Sequence, residues 1–137
     1  MTSAGLIVQL VAWMEDERHV FLNPHTAQVD LKPLAGKVAL LKNLKLLVSN
    51  GYRTTDDESL RDLLPRKQVY FDFGRAENAM TLHTLIEKSS AGRVVFGSCG
   101  PLHPILPNLS RLQTAKLSDR DREAIATNNA SQLIATN

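Results

Sequence analysis

This 137-residue chain has one cysteine, so it can form no internal disulfide framework and no cysteine-rich zinc site. Folding therefore needs no oxidising compartment, and cytoplasmic is the default expectation. Aromatic residues make up only 5% of the chain, which argues against a stacking platform for single-stranded nucleic acid. No dense run of one charge occurs either. The formal net charge is +2, and basic residues such as Arg18, Lys32, Lys37, Lys42, Arg61 and Arg66 are scattered, so neither nucleic acid nor an acidic membrane surface is expected as a partner. No apolar run is long enough for a membrane span. The stretch from Leu6 to Met14 is interrupted by Gln9 and meets Glu15 and Asp16 too early. What remains is ordinary for a globular domain: 43% hydrophobic and 22% charged residues, enough for a core, at a length that suits one domain over residues 1–137. Two Asn-x-Ser triplets, at Asn108 and Asn129, are read as chance rather than glycosylation sites.

Apolar runs and turn signals alternate along the chain. Leu6 to Trp13, Lys45 to Val48, Val69 to Phe71 and Val94 to Phe96 read as buried strands. Between them lie helical patterns. One starts at Leu31 or Lys32 behind Asp30, with Leu34, Val38, Leu41 and Leu44 on one face, and Asn43 is a plausible stop. Another starts at the capping box Thr55-Asp56-Asp57-Glu58, buries Leu60, Leu63 and Leu64, and ends at Pro65. A third runs from about Ala76 to Lys88, with Met80, Leu82, Leu85 and Ile86 apolar. A short helix near Leu106 to Gln113 and a last helix capped by Ser118 and reaching about Leu133 complete the pattern. Strands alternating with helices predict right-handed βαβ units and a parallel sheet, hence an α/β fold of about four parallel βα units.

All four predicted strands end in polar or special residues, and a parallel sheet puts those ends on one side, where α/β proteins bind ligands. The first offers Glu15 and Asp16, of which at most one can face inward because neighbours on a strand point opposite ways. The second offers Ser49 and Asn50, the third Asp72 and Arg75, the fourth Ser98 and Cys99 with His103 close by. Cys99 is a candidate catalytic nucleophile with His103 as base, or a small buried hydrophobe. Asp72 is a candidate general base or substrate-orienting carboxylate, or a group that holds the following loop. Arg18, Arg53 and Arg75 could meet an anionic small molecule at the mouth, or form surface salt bridges. His83 falls within a predicted helix, where a packing or surface role is expected.

Two segments carry a resemblance. The stretch Arg93-Val94-Val95-Phe96-Gly97-Ser98-Cys99-Gly100-Pro101 is similar to the last-strand motif Gly-Ser-Asp-x-Pro of the amidohydrolase-related family. That is the branch that includes aminocarboxymuconate semialdehyde decarboxylase and related metal-dependent hydrolases. The closing segment, Leu117-Ser118 to Ile125 and then Asn129-Ala130-Ser131-Gln132-Leu133, resembles the family's Asn-Ala-x-x-Leu ending. The resemblance implies an eight-stranded β/α barrel, typically ~250 residues long, of which this chain would form half or a part. It also implies a divalent metal such as zinc.

The family's metal ligands are replaced here. No His-x-His pair occurs; Ser49 or Asn50 stands where a middle-strand histidine is expected; and Cys99 stands where the metal-binding aspartate belongs. The four histidines, His19, His25, His83 and His103, do not fall at the ligand positions. No metal site and no cofactor are therefore expected from this chain's own residues. Two readings follow: an amidohydrolase-type hydrolase or lyase segment that has lost its metal ligands, and a non-catalytic βα binding or assembly module. A half barrel would leave two open strand edges and exposed lumen-facing residues, so a homo-oligomer or a missing barrel half is the expected partner.

Overall fold

A computed structural model describes residues 7–14, 27–41, 43–52, 60–101 and 103–135. Four strands, β1 (Ile7–Val11), β2 (Lys45–Ser49), β3 (Val69–Asp72) and β4 (Val94–Val95), form one sheet in the order β1-β2-β3-β4. Each neighbouring pair is parallel, with Leu10 opposite Val48, Val48 opposite Phe71 and Phe71 opposite Val94. Sequential parallel neighbours require a crossover after each strand. Helices α1 (Leu34–Leu40) and α2 (Ala79–Lys88) lie in the first and third crossovers. After β4 come α3 (Leu106–Thr114) and a closing helix made of α4 (Asp119–Glu123), a π-helical turn (Ala124–Asn128) and α5 (Asn129–Ile134). This is the expected α/β architecture, an open parallel sheet that corresponds to part of a β/α barrel. Among the described residues no helix is long and apolar enough to cross a membrane.

The two-residue alternation of the strands separates two faces. Leu46, Val48, Val69, Phe71 and Val94 point to one face and are buried with Leu31, Val38, Leu60, Leu63, Leu82 and Leu85 in the main hydrophobic cluster. The other face carries Gln9, Leu47, Ser49, Tyr70, Asp72 and Val95. Burying a side chain such as Leu82 or Phe71 contributes about 1.5–3 kcal/mol each, so the first face supplies most of the driving force.

Several helix limits differ from the sequence reading, each for a local reason. Asp30 Oδ1 accepts from Lys32 N–H as expected of a turn-former, but Leu34 N–H then closes a turn on Leu31 C=O and α1 begins only at Leu34. It ends at Leu40, and Leu41 leaves the helical conformation (φ −104°, ψ 75°), so its side chain is exposed rather than on the buried face. α2 begins at Ala79 rather than Ala76, because Asn78 is the residue whose side chain accepts the Thr81 N–H at 2.9 Å. That start turns Met80 outward while Thr81, Leu82 and Leu85 are buried. The capping box Thr55–Glu58 lies outside the described residues, but Leu60, Leu63 and Leu64 are buried as expected.

Among the described residues, the expectation of two open edges fails at β4, while no strand pairs with β1 beyond β2. At β4 the closing helix occupies the outward edge. Phe96 N–H donates to Ile125 C=O at 2.9 Å, and the Asn129 side chain donates from Nδ2 to Val94 C=O and Ala91 C=O, both at 2.7 Å. The π-helical turn explains how a helix can do this, since widening the turn breaks the regular i→i−4 ladder where Ile125 sits. At the far end of the helix, Lys45 Nζ donates to Gln132 C=O. The Asn-Ala-x-x-Leu pattern thus has a structural meaning: Asn129 caps a strand edge and Leu133 is buried. Asn108 and Asn129 are both 3% exposed, which removes both triplets as glycosylation sites in the folded chain.

Candidate functional site

The C-terminal ends of β2, β3 and β4 converge as a parallel sheet requires, and Asp72 stands at their centre. Its Oδ1 accepts the backbone N–H of Asn50 at 2.9 Å and of Gly74 at 3.1 Å. Burial pushes the carboxyl pKa up; these two N–H groups and the Ser49 hydroxyl pull it back, and the net direction is upward. Ser49 Oγ also accepts from Gln9 Nε2 at 3.0 Å, linking the site to β1.

Asn50 follows β2 in the left-handed region, φ 56°, a conformation that asparagine tolerates better than most residues. Its Nδ2 donates to Trp13 C=O at 3.2 Å and lies 3.4 Å from Cys99 Sγ. A carbonyl can only accept, so the amide edge facing Trp13 and Cys99 is the NH2, and the sulfur is the acceptor. Cys99 too is left-handed, φ 54°. Two residues 49 positions apart, Asn50 and Cys99, are therefore brought together at the strand ends.

Gly97 is where β3 and the loop after β4 touch. A Cβ there would sit 2.8 Å from both Cβ and Cγ of Asp72, so only glycine fits beside the carboxylate. Asn108, on α3, ties the loops from above: its Nδ2 donates to Gly74 C=O and Gly97 C=O, each at 3.1 Å, and its Oδ1 accepts from Arg111. Gly97→Ala is expected to cost about 1–3 kcal/mol, read as a lower midpoint in urea, because Asp72 must move to admit the methyl. An unchanged midpoint would show that the contact is slack.

At the mouth, Arg75 Cζ lies 5.3 Å from the centroid of the Trp13 ring, and Nη1 is 2.8 Å from His103 Nε2. A guanidinium has only donors, so Nε2 accepts and the imidazole carries its proton on Nδ1. Cys99 and His103 are joined by a backbone bond, His103 N–H to Cys99 C=O, at 3.2 Å. Their functional atoms turn to other partners: Sγ to Asn50, Nε2 to Arg75. Glu15 and Asp16 lie outside the described residues, as do Arg18, His19, His25 and Arg53. His83 is on α2, where its Nε2 is 3.2 Å from Glu87 Oε1, a surface pair one turn apart.

This donor set does not suit a divalent metal. A metal needs several lone pairs converging on one point. Here Asn50 presents N–H toward Cys99, and Asp72 Oδ1 is occupied by two backbone donors. Among the described residues no group of three or more His, Cys, Asp or Glu is placed to hold an ion.

Sequence reading missed two members of this cluster, Asn108 and Trp13. A signal for Asn108 exists: it lies four residues before the buried Leu112, on the inward face of α3, where a polar side chain needs a buried partner.

No protein-family model matches the chain, and no curated protein matches it. Solved structures do. A dihydroxybenzoic acid decarboxylase from a Polaromonas species, with bound manganese and the inhibitor 2-nitroresorcinol, matches with a TM-score of 0.57 and 18% identity over 72% of this chain and 36% of its own. The 5-carboxyvanillate decarboxylase of Sphingomonas paucimobilis gives 0.57 and 17% over 76% and 37%. A candidate 2-pyrone-4,6-dicarboxylic acid hydrolase from Pseudomonas putida gives 0.58 and 16% over 76% and 47%. The chain thus spans between about a third and a half of these proteins. At such identities the likeness concerns the fold alone, and it fits a sheet of parallel βα units that corresponds to part of a β/α barrel.

Proposed function

We propose that this chain is an amidohydrolase-type barrel segment, descended from a metal-dependent hydrolase or decarboxylase, whose strand-end face has exchanged metal binding for a hydrogen-bonded clasp. The observation that carries this reading is the Asn50 amide pointing its NH2 at Cys99 Sγ. A pair that once offered lone pairs to an ion now satisfies itself as donor and acceptor. Asp72 belongs to the same clasp and holds the loops after β2 and β3 rather than acting as a general base. Arg75 and His103, both half-buried, are the groups best placed to meet a small anionic ligand at the mouth. The single cysteine needs no oxidising compartment, which fits a cytoplasmic setting.

Elemental analysis of the purified protein tests the loss of metal chemistry. Metal well below one ion per chain is expected, and Cys99→Asp alone is expected not to raise it, because Asn50 still presents a donor. Stoichiometric zinc or manganese in the native protein would overturn the reading.

A second reading, a non-catalytic assembly module, is favoured by β1. This strand carries Ile7, Val8 and Val11 at 37%, 43% and 37% exposure, high values for apolar side chains in a parallel sheet. Light scattering on the purified chain tests it, with a species heavier than the monomer as the expected result.

A further inference from the structure

The two ends of the sheet are not equivalent. The outward groups at β4, Phe96 N–H and Val94 C=O, are taken by the closing helix, whereas β1 ends the sheet on the other side. Ala12 N–H donates to Ser49 C=O. By alternation, the even residues of β1 direct their backbone groups to β2, and Ile7, Gln9 and Val11 direct theirs outward. Among the described residues nothing pairs with β1 beyond β2. Natural sheets usually guard such an edge with lysine, proline or a bulge, and Ile7-Val8-Gln9-Leu10-Val11 has no charged residue and no proline.

We propose that β1 is a self-pairing edge: two copies of the chain join antiparallel through Ile7–Val11, about a twofold axis at Gln9. The inference rests on the assembly reading above and supplies its partner and register. The segment is self-complementary about Gln9. Ile7 of one copy faces Val11 of the other, Val8 faces Leu10, and Gln9 faces Gln9, so apolar meets apolar at every flanking pair and no like charges oppose each other. The outward-directed residues Ile7, Gln9 and Val11 fall on hydrogen-bonded pairs in this register, in which opposite residues exchange both N–H···O=C bonds. The pairing therefore satisfies every outward backbone group of β1. Gln9 Nε2 already donates to Ser49 Oγ, which leaves Oε1 to accept from the second copy. The alternative of closing one parallel barrel, with β1 of one copy laid on β4 of the other, needs the groups that Ile125 and Asn129 occupy.

The full 137-residue chain, followed by sedimentation from low to high micromolar concentration, is expected to show a monomer–dimer equilibrium. Ile7→Lys and Val11→Glu are each expected to raise the dimer Kd by about tenfold or more. Combined in one chain they are expected to restore most of the affinity, because opposite charges then face each other across the axis. Within a single strand residues four apart are about 13 Å distant, so the rescue cannot arise inside one copy. Gln9→Pro, which removes an outward N–H that the β1–β2 ladder does not use, is expected to give a monomer with an unchanged far-ultraviolet spectrum. A monomeric wild type at high concentration overturns both this pairing and the assembly reading. A dimer indifferent to Ile7→Lys, Val11→Glu and Gln9→Pro keeps the assembly reading and overturns pairing through β1. A double variant no tighter than the single ones overturns the antiparallel register.

Discussion

Asp72→Ala is expected to destabilise the protein by about 3 kcal/mol, measured by urea unfolding. The carboxylate is the acceptor for two backbone donors, Asn50 N–H and Gly74 N–H, in residues that are themselves buried. Each donor left without a partner costs roughly 1–3 kcal/mol. Asn50 is also held at a positive φ by this contact, so its loss releases the turn that aims the side chain at Cys99. Asp72→Asn separates the hydrogen bonds from the charge. Its amide oxygen can accept from the same two N–H groups, and it carries no charge to bury. Burial raises the carboxyl pKa despite the opposing hydrogen bonds. The folded protein therefore holds this proton to higher pH than the unfolded chain does. The stability contributed by the carboxyl is then fully present below the unfolded pKa and is lost as pH rises through the folded one. Subtracting the unfolding free energy of wild type from that of Asp72→Asn is expected to give a difference that grows with pH across this window and levels off above it. A difference flat in pH would sink the argument that burial dominates at Asp72.

Asn129→Asp is expected to cost about 2–4 kcal/mol at neutral pH, more than Asn129→Ala. The two side chains have nearly the same shape, so packing is preserved and only the chemistry changes. The Nδ2 that donates to Ala91 C=O and Val94 C=O becomes an oxygen facing two oxygens, in a side chain almost fully buried. Both carbonyls lose their donor, and a carboxylate is left without compensation. Alanine loses the same bonds but buries no charge. Part of the loss is expected to return in acid, where a protonated carboxyl can donate to one of the two carbonyls. Thermal unfolding at neutral and acidic pH would read both effects. Equal midpoints for the Asp and Ala variants at neutral pH would count against this account of the Asn129 contacts. Since Asn129 covers a strand edge, both variants are also expected to aggregate more readily than wild type on storage.

The order of strands and helices was legible because its determinants are local. Val69-Tyr70-Phe71 between turn signals is a strand by its own composition, and Ser118 before Asp119-Arg120-Asp121 announces a helix start, confirmed by the Asp121 N–H on Ser118 Oγ. The convergence of Ser49, Asn50, Asp72 and Cys99 was legible too, because parallel strands must bring their ends together. The orientation of the groups at those ends was not. Whether Asn50 shows oxygen or nitrogen to Cys99 depends on Trp13 C=O, which arrives from β1. Gly97 entered the sequence reading only as part of a motif, while its reason for being glycine is the Asp72 side chain pressed against it. Asn129 stood out in the sequence only as part of a motif and Asn108 only as part of a chance triplet, and it is their carbonyl partners on distant loops that give them a role.

The sequence by itself determined that this is an α/β protein of parallel βα units with a polar strand-end face. Alternation, capping and residue identity suffice for that, and each is read within a few positions of the chain. Only the tertiary structure decided that Asn50 and Cys99 satisfy each other, that Asp72 is a buried acceptor for two loops, and that the sheet edge at β4 is closed by a helix. Those contacts join residues 22, 35 and 49 positions apart, and the direction of a donor or a lone pair across such a distance is set by packing rather than by local pattern.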